Sequence, residues 1–236
     1  MLAHRANAGG RHPENSIAAL RAALRLPIDG IEIDVARSAD GRYFIHHDPA
    51  FPDGTILEDL PASRLRKRRL SNGEPVPTLE EFLEAAVRGL VFLDLKQSCV
   101  PVELADRALA LLPPERLFIS SFWHPGIRDL GKRRPGLRLG VTVEARLVRP
   151  AEALRAAGAR VLVLPSSCAD RGTVAEVRRA GGEVWCWGVN DAREGRALAR
   201  LGVGALVTNF PERIAAQSRP PSADSADRST SSGRRL

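Results

Sequence analysis

The sequence predicts an α/β protein closed into a (β/α)8 barrel, and three observations carry that expectation. Short apolar runs alternate with stretches of helical period, the pattern of a parallel sheet joined by crossover helices. The alternation recurs often enough within 236 residues to complete a ring instead of an open doubly wound sheet. No Gly-rich nucleotide-binding turn follows the first apolar run, so the open alternative lacks its main signature.

Each element has a local reason. Leu2–Arg5 reads as the first strand, and Ser16–Leu26 as a helix with Ser16 at the N-cap and Pro27 as its stop. Ile31–Val35 and Tyr43–His47 both alternate as strands do, but the Arg37–Arg42 connector is too short for a crossover. They should therefore form an antiparallel hairpin around Ser38-Ala39-Asp40-Gly41, which supplies the extra strand beyond the eight of the ring. Thr78–Val87 opens with Thr78 and Glu81 spaced as a capping box. Strands then follow at Val91–Leu95, Leu117–Ser121, Arg138–Thr142, Val161–Leu164, Glu183–Val189 and Ala205–Thr208. The helices between them are read at Val102–Leu112, Ala151–Ala157, Thr173–Ala180 (stopped by Gly181) and Ala192–Leu201. Residues 1–217 make one domain, and 218–236, rich in Ser, Pro, Asp and Arg, read as a disordered tail.

Charge and cysteines narrow the function classes. The formal charge is +7, yet only Lys67, Lys96 and Lys132 are lysines, and the arginines are spread along the chain. With aromatics at 5% of residues, the interleaved stacking side chains of a nucleic-acid surface are missing. The run Arg64-Leu65-Arg66-Lys67-Arg68-Arg69 reads as a solvated face, with peripheral membrane contact as its minority use. Cys99, Cys168 and Cys186 have no CxxC or zinc-ligand spacing, which fits free thiols in a reducing, cytoplasmic compartment. The first strand begins at Met1 with no lead-in, which leaves room for an upstream targeting segment.

The chemistry lies at strand ends. Glu32 and Asp34 are two apart on one strand and so share a face; converging hard oxygens at a barrel rim suit Mg²⁺ or Ca²⁺ far better than zinc. A solvated edge would carry the same charges, but the flanking Ile31, Ile33 and Val35 read as buried. Asp94, ending the apolar strand before Lys96, is a third carboxylate for the rim. Pairing Arg37 with Arg42 places Glu32 opposite His47, whereas a one-residue slip brings in His46 instead. His4 and His47 at strand ends offer a general acid and a general base, while Arg5 and Lys96 offer fixed charge for an anionic substrate. His12 and His124 fall in loop contexts. Glu14 either caps the helix that follows or orients His4 and Arg5.

These residues resemble a known family. The segments AHRA, PENSIAAL, IEIDV, DGRYFIHHDP, PTLEEFLE, FLDLK, ISSF, VWCWGVND and ALVTNFPE stand in the order seen in glycerophosphodiester phosphodiesterases. The resemblance covers residues 1 to about 214 and is specific in its combination. It implies a TIM barrel of the phospholipase-C-like phosphodiesterase type, dependent on a divalent metal, that cleaves a small phosphodiester to an alcohol and glycerol 3-phosphate. By that resemblance His4 and His47 are the acid/base pair, and Glu32, Asp34 and Asp94 hold the metal. Arg5 and Lys96 meet the phosphate, and Trp187 is an aromatic wall of the substrate pocket. Three departures stand out. The usual His-Arg-Gly reads His4-Arg5-Ala6 here, and the glutamate before the lysine is Asp94, shorter by ~1.5 Å of reach. The segment from Pro49 to Val76, which shapes the substrate mouth in this family, is brief and carries the basic run. Two competing expectations follow: a relative acting on lysophospholipids at a membrane, or a catalytically impaired barrel that binds phosphate esters.

Overall fold

The structure, a computed structural model, describes residues 1–96 and 100–216. Strand β1 (Leu2–Ala3) leads through helix α1 (Ile17–Ala23) to the hairpin of β2 (Gly30–Arg37) and β3 (Tyr43–Ile45). A short α2 (Ala62–Leu65) and α3 (Leu79–Ala85) precede β4 (Leu90–Leu95), α4 (Val102–Leu109) and β5 (Leu117–Ser121). Then come α5 (His124–Arg133), β6 (Arg138–Thr142), α6 (Pro150–Ala157), β7 (Val161–Pro165) and α7 (Arg171–Arg179). β8 (Glu183–Trp187), α8 (Ala192–Leu201), β9 (Ala205–Thr208) and α9 (Pro211–Ala216) complete the chain. The sheet runs β1-β9-β8-β7-β6-β5-β4-β2-β3, and the additional β1–β2 pairing closes it. Eight strands thus form a parallel barrel with helices outside, and β3 hangs from the end of β2, antiparallel to it and outside the ring.

Strand alternation divides the core in two. Outward residues such as Ile31, Ile33, Val35, Leu93 and Ile119 pack under the helices. Inward residues Leu2, Phe92, Phe118, Val161, Val163, Trp185 and Val207 fill the barrel. Phe118 sits 4.7 Å from Phe92 and 4.3 Å from Trp185 between ring centroids. Gly140 makes room for it: a Cβ there would lie 2.5 Å from the tip of the Phe118 ring. At the N-terminal end Arg138 stacks over Trp185 at 4.9 Å and pairs with Glu183 at 3.2 Å. Above this aromatic layer the inner face turns polar, with Glu32, Asp34, Asp94, Ser120 and Thr142 all buried.

The structure departs from the sequence expectation in several places. β1 stops at Ala3, because His4–Ala6 wind into a 3-10 turn with Arg5 at φ 52° and Ala6 at φ 53°. The hairpin register is one residue off the expected one: Arg37 pairs with Tyr43, not Arg42. Ser38 closes the turn by donating its backbone N–H to the Arg42 carbonyl, and Gly41 adopts φ 80°, giving a loop of Ala39, Asp40 and Gly41. Helix α5 was not expected, because Pro125, Gly126 and Gly131 punctuate its sequence. Proline at a helix start is nevertheless favourable, and Ile127 and Leu130 give it a buried face. His124 accordingly opens a helix instead of lying in a loop.

The insertion between β3 and α3 has its own small core of Ala36, Phe44, Phe51, Leu57, Leu65 and Val76. Two arginines of the basic run hold it together. Arg66 pairs with Glu81 at 2.6 Å, and Arg68 pairs with Asp53 at 2.5 Å while stacking on Phe51. Ser16 and Thr78 cap their helices as expected, Thr78 with the reciprocal Glu81 contact. Cys168 and Cys186 are free thiols, whereas Cys99 and the tail lie outside the described residues. Among the described residues no helix is long and apolar enough to cross a membrane.

Candidate active site

The polar layer opens into a cavity of about 280 Å³ at the C-terminal mouth of the barrel. Its walls include His4, Arg5, Glu32, His47, Asp94 and Lys96, with Phe122, Glu144 and Trp187 across from them. Every candidate catalytic, metal-ligating or substrate-binding residue from the sequence lies here or, like Asp34 and Glu14, one contact away. Glu32, Asp34 and Asp94 each offer an oxygen within 4.8 Å of the others. Asp34 and Asp94 stand side by side on paired strands, and Glu32 faces the same interior two residues earlier.

Those carboxylates differ in their support. Asp34 accepts a hydrogen bond from Asn15 Nδ2 at 2.9 Å, and Lys96 Nζ lies 3.0 Å from its Oδ1 without good hydrogen-bond alignment. Burial alone would raise its pKa, but Lys96, the Asn15 hydrogen bond, His47 and Arg5 together hold it below the ordinary value. Asp94 is bracketed: Oδ1 accepts from Ser120 Oγ at 2.8 Å and Thr142 Oγ1 at 3.0 Å, and Oδ2 from Lys96 at 2.7 Å. Glu32 has less, chiefly the Arg5 backbone N–H at 2.8 Å. Burial, then Asp34, then Asp94 push its pKa well above the carboxylate range. The site therefore holds negative charge that its own cations do not fully offset. With three hard oxygen ligands so close together, the residues present fit a divalent cation of the Mg²⁺ or Ca²⁺ kind. Lys96 is shifted upward: burial works against its charge, but Asp94 and Asp34 outweigh it.

The left-handed turn explains how Arg5 is used. It aims the Arg5 N–H at Glu32 and leaves the Arg5 carbonyl to accept from the Asn15 N–H at 2.8 Å. The guanidinium donates to Glu14 at 2.7 Å and reaches Asp34 at 3.4 Å. Glu14 therefore stands on the orienting side of its two expected roles.

Both histidines are fixed through Nδ1. His4 Nδ1–H donates to Asn209 Oδ1 at 2.8 Å, leaving Nε2 at 3.8 Å from Glu32. Burial lowers the His4 pKa, and the Asn209 hydrogen bond only partly compensates. His47 Nδ1 meets the Asp48 carboxylate at 2.7 Å. The register slip did bring His46 opposite Asp34, with its N–H on the Asp34 carbonyl. The chain leaves the strand at that point, so strict alternation ends and His47, not His46, lines the cavity. His46 instead turns Nδ1 to the Asp48 carbonyl and its ring to Phe51.

Several supporting residues escaped the sequence reading. Asn209 follows Val207 on the inner face by strand alternation, a signal that was there to be used. Ser120 and Thr142 also carry the inward parity of their strands, but a lone hydroxyl at a strand end rarely marks a site. Asn15 and Asp48 act from loops, where no periodicity points to them.

The chain is similar to proteins named as glycerophosphodiester phosphodiesterases. The sequence model described as the glycerophosphoryl diester phosphodiesterase family matches residues 4–213. A glycerophosphodiester phosphodiesterase of Caldanaerobacter subterraneus subsp. tengcongensis is 26% identical over 91% of this chain and 95% of its own length. A phosphodiesterase of Oleispira antarctica, solved with the product sn-glycerol-3-phosphate, superposes with TM-score 0.84 at 26% identity, covering 91% of this chain and 94% of that one. A glycerophosphodiester phosphodiesterase of Parabacteroides distasonis, 22% identical, shares the fold with TM-score 0.82 over 92% of this chain and 94% of its own. With its barrel and nearly its whole length matched, the chain belongs to the glycerophosphoryl diester phosphodiesterase family of phosphoric diester hydrolases.

Proposed function

We propose that this protein hydrolyses a glycerophosphodiester to an alcohol and glycerol 3-phosphate, with a divalent cation held by Glu32, Asp34 and Asp94. One observation carries the proposal: a buried three-carboxylate cluster shares its cavity with two imidazoles, each anchored through Nδ1. The glycerol 3-phosphate bound by the Oleispira antarctica relative supports the choice of product.

Arg5 and Lys96 place fixed positive charge where the phosphate sits, and a bound cation would add Lewis-acid stabilisation of the developing charge. One imidazole takes the proton of the attacking oxygen as its bond to phosphorus forms. The other delivers a proton to the alcohol oxygen as its bond to phosphorus breaks. Of the carboxylates, Asp94 is the most heavily engaged by the protein itself. Were a cation bound, Asp94 would have less charge to offer it than a carboxylate without those three donors. Trp187 Nε1 is buried without a hydrogen-bond partner among the described residues, a donor available to a substrate oxygen.

The test is turnover of a panel of glycerophosphodiesters and lysophospholipids with Mg²⁺, Ca²⁺ or chelator, on wild type, His4→Ala and His47→Ala. Each variant should keep its circular dichroism spectrum and lose about 10²–10⁴-fold in kcat. Near wild-type turnover in both variants, or turnover indifferent to chelation, would refute the mechanism. Phosphate-ester binding without product release would instead support a barrel that only binds.

A further inference from the structure

The cavity is chemically lopsided. His4, Arg5, Glu32, His47, Asp94 and Lys96 come from the β1, β2, β3 and β4 side, where Arg5 is paired with Glu14 and Lys96 with Asp34 and Asp94. Across from them Glu144 brings a carboxylate with no ion pair or hydrogen bond among the described residues. It follows β6 with the inward parity of Thr142, because the buried Val143 between them faces out. The backbone before it is held by the sheet, the Val143 N–H donating to the Val163 carbonyl at 2.9 Å, and the Glu144 side chain is exposed at the mouth. The adjacent Arg146, a cation that could neutralise Glu144, is paired with Asp170 at 3.3 Å. Two aromatic residues share this half of the cavity. Phe122 already holds the Lys96 ammonium 5.5 Å from its ring, and Trp187, at the end of β8, carries no cation contact among the described residues.

An unpaired carboxylate and an indole lining one cavity make a poor host for a second anion and a good one for a cation. We infer that Glu144, with Trp187, selects diesters whose alcohol carries a positive charge, so that the anionic phosphate lies against Arg5 and Lys96 and the cationic end lies at the opposite rim. This rests on the phosphodiesterase activity proposed above and adds its substrate class.

The experiment compares kcat/KM for two glycerol 3-phosphate esters of equal shape, one of trimethylammonio-ethanol and one of its uncharged tert-butyl-ethanol isostere. Wild type should favour the charged ester by about three- to tenfold, mainly through KM, with the preference shrinking as salt rises. Glu144→Gln should remove most of that preference, and Glu144→Asp should restore part of it. Equal ratios in wild type and Glu144→Gln, or a wild-type preference for the uncharged ester, would overturn the inference while leaving the hydrolase reading intact. Failure to cleave either ester would overturn the hydrolase reading, and this inference with it.

Discussion

At the scale of single residues, the site trades stability for chemistry. Glu32 is crowded by buried carboxylates, so in the metal-free protein its folded pKa stands well above the ordinary value of 4.5. The folded chain then keeps a proton that the unfolded chain has already released. Stability from Glu32 is thus fully present below about pH 4.5 and lost as pH rises through its elevated pKa. Glu32→Gln keeps the carbonyl that accepts the Arg5 N–H but carries no charge. It should raise the metal-free unfolding midpoint at pH 8 by roughly 2–6 °C, flatten its pH dependence, and abolish turnover. Thermal melts from pH 4 to 9 in the presence of chelator would show this, and an unchanged profile would count against the crowding. Ala6 is a second example. Its left-handed backbone, φ 53°, costs an L-residue about 1–2 kcal/mol, partly offset because glycine would have more freedom to lose on folding. Ala6→Gly should therefore raise the midpoint by about 1–4 °C, as read by calorimetry.

At the scale of elements, what the sequence made legible and what it hid have separate causes. Strand parity alone put Glu32 and Asp34 on one face, Asp94 joined them as a carboxylate ending an apolar strand, and the capping box placed the start of α3 to the residue. The hairpin register was not legible, because a three-residue loop and a four-residue loop both fit Ser38-Ala39-Asp40-Gly41, and the side chain of Ser38 decided between them. Helix α5 was hidden by the same prolines and glycines that usually interrupt helices. Long-range partners were beyond reach in principle: nothing near Arg88 in the chain announces that it feeds the carbonyls of Leu24, Leu26 and Ile28. Those oxygens lie just past the end of α1, and one arginine supplies donors to all of them. Arg88→Ala should destabilise the fold by about 1 kcal/mol or slightly more, with the loss localised to the end of α1 by hydrogen exchange. Uniform protection across α1 and unchanged stability would remove that capping role.

At the scale of the whole molecule, the barrel keeps a dry lower layer and a charged upper one in the same interior. The aromatic layer supplies packing, and the polar layer keeps carboxylates close together, an arrangement that a bound counter-ion would stabilise further. Saturating Mg²⁺ or Ca²⁺ should accordingly raise the thermal midpoint of wild type. At a hundredfold excess over Kd the added stability is about 2.7 kcal/mol. Glu32→Gln combined with Asp34→Asn should erase the response, as differential scanning calorimetry would report. A shift of equal size in the double variant would place the cation elsewhere.

The stacked rings of Phe92, Phe118 and Trp185, sealed below by Arg138 and Glu183, give the cup a floor. With that floor packed, substrate and product share the cavity at the C-terminal mouth. A spent phosphomonoester waiting to leave then blocks the next diester. Accumulated product should accordingly act as a competitive brake on turnover, a self-limiting valve that follows from the shape of the vessel.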